Sequence, residues 1–181
     1  MLKNVLIFTL FIATNTSAQK YKPVDAGSKV HFVIKNFGIA TGGDLSGTQG
    51  EIDFSPNNLA ACRFDVTVAV ATVNTDNEMR DKSLVSDEYF DVTKYPSLRL
   101  VSTKIGKTNK TDSGFYYFTG NLTIKGVTKE ISFPFQAKKT ENEYVFTGNF
   151  DIDRTQFGVG DKSMVLSNKV AVSLRVAAKK D

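Results

Sequence analysis

The chain has 181 residues, a hydrophobic fraction of 41% and a formal net charge of +4, which suits one domain with a substantial apolar core. Basic and acidic residues alternate along most of the chain, so no nucleic-acid partner is expected. Cys62 is the only cysteine and His31 the only histidine, which excludes an intramolecular disulfide and leaves no Cys/His cluster for a metal cofactor.

Residues 1–18 have the pattern of a secretory signal peptide. Lys3 gives a positive start, residues 5–12 form a short apolar run, and Ala18 is a small residue before the expected cleavage point. The run is too short to span a bilayer. We therefore expect export to the periplasm and a mature domain over residues 19–181.

Alternation of apolar and polar residues predicts β-strands through most of the mature chain. The pattern is clearest where Phe64, Val66 and Val68 share one face and Arg63 and Asp65 the other. The predicted strands cover residues 29–37, 44–54, 60–73, 97–106, 114–125, 128–138, 143–153 and 168–178.

Short turns join most of these strands, so neighbouring strands should be antiparallel. One apolar face per strand suits a closed barrel or a two-sheet sandwich. Closure would remove the exposed edges that eight long strands otherwise present. The sequence thus predicts an all-β fold and favours an eight-stranded antiparallel β-barrel.

Residues 75–92 lose the alternation and predict a short helical segment around residues 76–90. Thr75 or Asp76 is the expected helix cap. Leu84, Tyr89 and Phe90 are expected to point inward and close one end of the barrel.

The interior is predicted to be rich in aromatic rings, since the chain has 14 Phe and 6 Tyr and most lie on the inward faces. Barrels of eight strands are either filled by side chains or hold one small ligand, and the pattern leaves both outcomes open. No G-x-S-x-G elbow or phosphate-cradling glycine loop is present, so we do not expect an enzyme.

Several motifs together point to one family. They are residues 28–38, residues 43–56, Thr75 to Pro96 with Asn77, Arg80, Asp81 and Leu84, the run Gly120-x-Leu122-Thr123-Ile124-Lys125-Gly126-Val127-Thr128-Lys129, and residues 153–158. In this combination the chain resembles the YceI-like family of polyisoprenoid-binding or lipid-binding proteins over about residues 25–178.

The resemblance implies a lipocalin-like barrel that is exported to the periplasm and encloses a long amphiphilic chain. Many members have a histidine where this chain has Asn36; if that position contacts the ligand head, head-group preference differs here. Arg80 has two interpretations. It either fixes the helical segment by donating to backbone carbonyls and Asp91, or it contacts the ligand head directly.

The predicted function is to bind and carry or sequester a polyisoprenoid, a quinone-like lipid or a fatty amide. The alternative is a non-enzymatic, stress-protective periplasmic protein with a filled core. The expected partners are a long-chain lipid and, transiently, a membrane, with monomer and homodimer both open. The predicted ligand-binding residues are Phe32, Ile34, Asn36, Phe64, Val66, Phe90, Tyr95, Leu98, Leu100, Phe118, Leu122, Phe133, Phe135, Phe150 and Phe157.

Overall fold

The computed structural model of the chain describes residues 18–109 and 114–181. The predicted signal peptide therefore lies outside the described residues except for Ala18. The strands are β1 (Gln19–Asn36), β2 (Ile39–Leu45), β3 (Gln49–Phe54), β4 (Arg63–Ala69), β5 (Ser97–Lys107), β6 (Phe115–Ile124), β7 (Val127–Lys139), β8 (Glu143–Asp153) and β9 (Leu166–Lys180).

All strand pairs are antiparallel, and the sheet closes on itself because β1 pairs with β9 on one side and with β2 and β3 on the other. Asn36 of β1 lies opposite Ile39, and Gln19 lies opposite Phe54. β2 and β3 are therefore successive parts of one barrel strand. The nine segments of the described chain form eight barrel positions, which confirms the predicted eight-stranded barrel.

The break between β2 and β3 corrects the single predicted strand over 44–54. Gly47 adopts a φ of +73°, which a side chain would disfavour. The backbone N–H groups of Gly47 and Thr48 donate to Asp25 Oδ1 at 2.6 and 2.9 Å. Because a carboxylate of β1 accepts these two donors, the chain can leave the ladder here without losing hydrogen bonds.

Two other predicted strands also have wrong bounds. β1 begins at Gln19 rather than at residue 29, and its pairing with β9 shifts register between Val24 and Lys29, where Gly27 has a φ of +89°. The predicted strand 60–73 shortens to β4 because 3₁₀ turns, Leu59–Ala61 and Val70–Thr72, flank it.

The predicted helical segment contains one α-helix, α1 (Glu78–Val85). Its cap is Asn77 rather than Thr75 or Asp76, since Asn77 Oδ1 accepts from the Arg80 N–H at 3.0 Å. The chain then turns back, with the Phe90 N–H bonded to the Leu84 carbonyl at 3.0 Å. This turn brings the side chains of Leu84 and Phe90 to the same end of the barrel.

Candidate functional site

The barrel interior contains a cavity of about 510 Å³, within the size range of small-molecule sites. Its wall is mainly apolar. Residues from strands around the whole barrel and from α1 form this wall. All the residues predicted to bind ligand line this cavity except Tyr95 and Phe157: Phe32, Ile34, Asn36, Phe64, Val66, Phe90, Leu98, Leu100, Phe118, Leu122, Phe133, Phe135 and Phe150. Their contact with a ligand stays a prediction.

Tyr95 and Phe157 lie away from the cavity wall. Tyr95 packs on the backbone of Gly126, where a Cβ atom would come within 2.7 Å of the Tyr95 ring. Phe157 is 2% exposed and packs with Ile124 and Val159. Both rings stabilise turns at the end of the barrel that carries α1.

Other wall residues were not in the predicted site: Val30, Leu45, Ile52, Met79, Leu84, Tyr89, Phe146, Val159, Val170, Val172 and Leu174. The alternation in residues 168–178 had already placed Val170, Val172 and Leu174 on one face, so the strand period was sufficient to find those three. Met79 could be assigned to the wall only from the structure, because it belongs to α1 rather than to a strand.

One end of the barrel is filled by aromatic rings. Phe54 is 1% exposed, and its ring lies edge-to-face with those of Tyr144 and Phe146 at centroid distances of 5.1 and 5.2 Å. Burial raises the pKa of the Tyr144 and Tyr21 hydroxyls above the usual 10.0, so both stay uncharged. The sequence left a filled and an open interior as alternatives; the barrel is packed at this end and contains the cavity nearer the other end.

A stack of three phenylalanine rings forms one wall of the cavity. Phe133 lies between Phe118 and Phe150, with ring centroids 4.9 and 4.6 Å apart. Gly148 of β8 makes room for the central ring, since a Cβ atom there would lie 2.7 Å from Phe133 Cε2. The absence of a side chain at Gly148 therefore sets the position of the stack.

The opposite end of the cavity opens to solvent. Its wall there includes Met79, whose side chain is 81% exposed, and the polar residues Asn36, Thr41 and Ser83. We call this opening the mouth. An apolar depth with a polar opening is an arrangement that suits an amphiphile.

Arg80 lies at the mouth and also fixes the start of α1. Its Nε donates to Thr75 Oγ1 at 2.8 Å, and its Nη2 donates to the Thr75 carbonyl at 2.6 Å. The Thr75 N–H and hydroxyl in turn donate to Asp81 Oδ1 at 2.9 and 2.5 Å. Arg80 thus binds a backbone carbonyl as expected, but its partner residue is Thr75 rather than Asp91, and it lines the cavity as well.

Arg154 is a second cation on the wall and was missed as a site residue. It is 4% exposed, and its guanidinium donates to the carbonyls of Ser167, Val159 and Asp161 at 3.0, 2.7 and 2.8 Å. These bonds hold the connection between β8 and β9 against the barrel. In the sequence, residues 153–158 indicate only a family resemblance. They do not predict that Arg154 lines the cavity.

Lys125 joins two of the turns beside the mouth. It stands in the two-residue turn between β6 and β7 with a φ of +49°, and its Nζ donates to the carbonyls of Asp87, Glu88 and Gly158 at 2.7, 3.0 and 3.0 Å. This contact gives the run Gly120–Lys129 a structural role at the mouth.

Thr48 lines the cavity and carries a buried hydroxyl without a partner among the described residues. The residue is 4% exposed, and the unpaired atom is its Oγ1. Buried hydroxyls are almost always hydrogen-bonded. The Thr48 hydroxyl is an exception to this rule.

His31 and Cys62 show no catalytic or metal-binding arrangement. His31 Nδ1 lies 2.6 Å from Asp44 Oδ1. Burial alone would raise the pKa of Asp44, but hydrogen bonds from Lys29 and His31 lower it overall. Burial raises the pKa of the Cys62 thiol, which makes it less reactive. Across residues 18–109 and 114–181, no group of three His, Cys, Asp or Glu side chains could hold a metal.

Large apolar side chains are exposed at the same end of the barrel as the mouth. Phe37 and Ile39 are 74% and 71% exposed, and Met164 is fully exposed. The Phe37 N–H bonds to the Val165 carbonyl at 2.8 Å, so the β1–β2 turn and the β8–β9 connection meet here. We call Phe37, Ile39, Met79, Met164 and Val165 the apolar rim. No helix in the described ranges is long and apolar enough to cross a bilayer.

A closed antiparallel barrel with an apolar cavity and a polar mouth defines a lipocalin-like class of protein. The family model described as "YceI-like domain" matches residues 21–178. The chain belongs to the YceI-like family, which confirms the resemblance seen in its motifs.

Curated relatives support this membership. A UPF0312 protein of Pectobacterium carotovorum is 34% identical over 139 residues, covering 72% of this chain and 70% of the relative. Protein YceI of Salmonella arizonae is 33% identical over 139 residues, covering 73% and 71%.

Solved structures share the barrel. Burkholderia cenocepacia BcnA superposes with a TM-score of 0.80 at 25% identity, covering 87% of this chain and 99% of BcnA. A polyisoprenoid binding domain from Saccharophagus degradans, implicated in plant cell wall breakdown, gives a TM-score of 0.70 at 12% identity and covers 91% and 100%. The second similarity concerns the fold alone.

Proposed function

We propose that this protein binds a long-chain amphiphilic lipid, such as a polyisoprenoid, a quinone-like lipid or a fatty amide, and carries or sequesters it in the barrel. The observation that carries the proposal is the apolar cavity of about 510 Å³ with its polar mouth. Apolar burial and dispersion along the chain would supply most of the affinity. The polyisoprenoid binding domain of S. degradans has the same fold, which is consistent with this role.

The cavity favours lipid binding over a stress-protective protein with a filled core. Interiors without a ligand pack closely and rarely leave large voids. The aromatic end of this barrel is packed in that way, whereas the end nearer α1 is not.

The test is organic extraction of purified protein followed by mass spectrometry, with two variants of β9 compared. Val172 lines the cavity, and Val172→Trp fills space that a lipid chain needs. Ser173→Trp places the same ring on the exposed outer face and serves as the control. We expect bound lipid in the parent and in Ser173→Trp, and much less in Val172→Trp at a comparable melting temperature. A parent protein without lipid would contradict the proposal.

Transient membrane contact through the apolar rim is the second part of the proposal. Phe37 is a large exposed ring on a backbone with a φ of +49°, which is unfavourable for a bulky residue. Strained exposed residues are common where a protein meets a partner. Here the partner would be a bilayer, because the rim lies at the same end of the barrel as the opening of an apolar cavity.

Vesicle co-sedimentation tests the rim. Phe37→Ser combined with Ile39→Ser should lower the bound fraction, whereas Tyr117→Ser, which removes a 42%-exposed ring from a strand outside the rim, should not. Equal binding by both variants would contradict a role of the rim. We further propose that the protein acts in the periplasm without catalysing a reaction, since burial raises the pKa of the Cys62 thiol and makes it a poor nucleophile.

A further inference from the structure

The charged residues that line the cavity within the described ranges are all arginines. Arg80, Arg99 and Arg154 line the cavity, and no Asp or Glu side chain does so within residues 18–109 and 114–181. Arg99 is neutralised on the outside, because its Nε and Nη2 donate to Asp65 at 2.8 and 2.6 Å. Arg80 and Arg154 remain as the positive charges of the site.

Both of these arginines have neutral hydrogen-bond partners. Arg154 donates to backbone carbonyls, and Arg80 donates to the hydroxyl and carbonyl of Thr75. The neighbouring carboxylate of Asp81 accepts from Thr75 and is not part of the wall. A cation beside apolar surface is poorly solvated and favours an anion over a neutral group.

We propose that the ligand carries an anionic head group, a carboxylate or a phosphate monoester, and that Arg80 binds it at the mouth. Arg80 is suited to this contact because Nε and Nη2 are held by Thr75, which fixes the direction of the guanidinium. Arg154 adds positive charge to the same cavity. The inference rests on the proposed function and narrows it, because it ranks an anionic head above a neutral quinone or amide head on the same chain.

The size of the effect follows from the difference between charged and neutral hydrogen bonds. A hydrogen bond between two charged groups is worth about 1.4 kcal/mol more than a neutral one, which corresponds to about tenfold in affinity. Palmitate should therefore bind about tenfold more tightly than palmitamide or hexadecanol.

The experiment measures dissociation constants of palmitate, hexadecyl phosphate, palmitamide and hexadecanol for delipidated protein, below the micelle concentration of each probe. The quantity compared between variants is the ratio of acid to alcohol affinity. Arg80→Gln should reduce the ratio to near one, and Arg80→Lys should retain most of it. Lys82→Gln removes the same charge from an exposed position of the same helix and should leave the ratio unchanged.

Each outcome has a distinct meaning. Preference for both acids supports the inference, and preference for one of them assigns either a fatty acid or a phosphorylated lipid. Equal affinity for acid and alcohol in the parent, or an unchanged ratio in Arg80→Gln, overturns the inference while the lipid-binding proposal stands. Failure of all four probes to bind overturns both. The parent comparison holds even if Arg80→Gln folds poorly, and Arg80→Lys keeps the charge test available.

Discussion

Replacing Gly148 with alanine should destabilise the barrel and distort its cavity. The added Cβ would lie 2.7 Å from Cε2 and 3.0 Å from Cδ2 of Phe133, closer than normal carbon contacts. Phe133 cannot simply swing away, because Phe118 and Phe150 stack against its two faces at 4.9 and 4.6 Å. Relief therefore requires the whole stack to shift towards the cavity.

The expected cost is about 1–3 kcal/mol, the usual range for overpacking a filled core. Gly106 of β5 provides the matched control, since a Cβ there would meet no atom within 4 Å. Gly106→Ala should be neutral or stabilise by about 0.4–1 kcal/mol, because alanine lowers the entropy of the unfolded chain. The same glycine-to-alanine change should therefore lower the free energy of unfolding at position 148 but not at position 106.

Chemical denaturation with urea, analysed by linear extrapolation, measures both changes. Binding of a fluorescent fatty acid to delipidated protein should weaken in Gly148→Ala and stay unchanged in Gly106→Ala. If Gly148→Ala is as stable as the parent, the stack is free to move. The argument that Gly148 sets the shape of the cavity would then be wrong.

Three further predictions concern other parts of the chain. Hydrogen bonds from Arg99 hold the pKa of Asp65 below its usual 3.8, so this pair stabilises the fold above that pH and its contribution is lost as the pH falls through the folded-state pKa. Asp65→Asn should lower stability by about 0.2–1 kcal/mol at neutral pH, and the gap in melting temperature should close in acid; a gap independent of pH would contradict this. Arg80→Ala should cost about 1–3 kcal/mol because it strands the buried acceptors of Thr75, whereas an unchanged melting temperature would leave Arg80 without a structural role. Protein from a native host should begin at Gln19 by intact mass, and a retained initiator methionine would contradict export.

The barrel could be predicted from sequence because the strand period fixes which side chains face inward. The bounds of β8, residues 143–153, agree with the predicted strand, and the inward faces of β1 and of β4 to β8 supplied most of the predicted wall. Residues 19–28, the part of β1 that was not predicted, have no such regular alternation. Pro23, Gly27 and alternating charges interrupt this part, and its strand conformation depends on the pairing with β3 and β9.

The mouth was less predictable, for a physical reason. Arg80 and Arg154 belong to a helix and a 3₁₀ turn (Arg154–Phe157), whose directions are set by contacts with distant carbonyls rather than by a local repeat. Tyr95 is among the predicted ligand-binding residues, but its position depends on the close approach of Gly126. The alternation of apolar and polar residues along strands cannot predict where side chains from helices and turns lie.

The aromatic packing around Phe54 has a consequence for how a lipid would be exchanged. With that end filled, the cavity reaches the surface at the mouth, so under the proposed function a lipid chain would enter tail first and leave head first by the same route. A donor and an acceptor membrane would then approach the same face in turn, and neither could bind while the other occupied it. Exchange would follow double-displacement kinetics, with empty and loaded protein alternating, and an excess of either membrane would slow transfer by competing for the apolar rim.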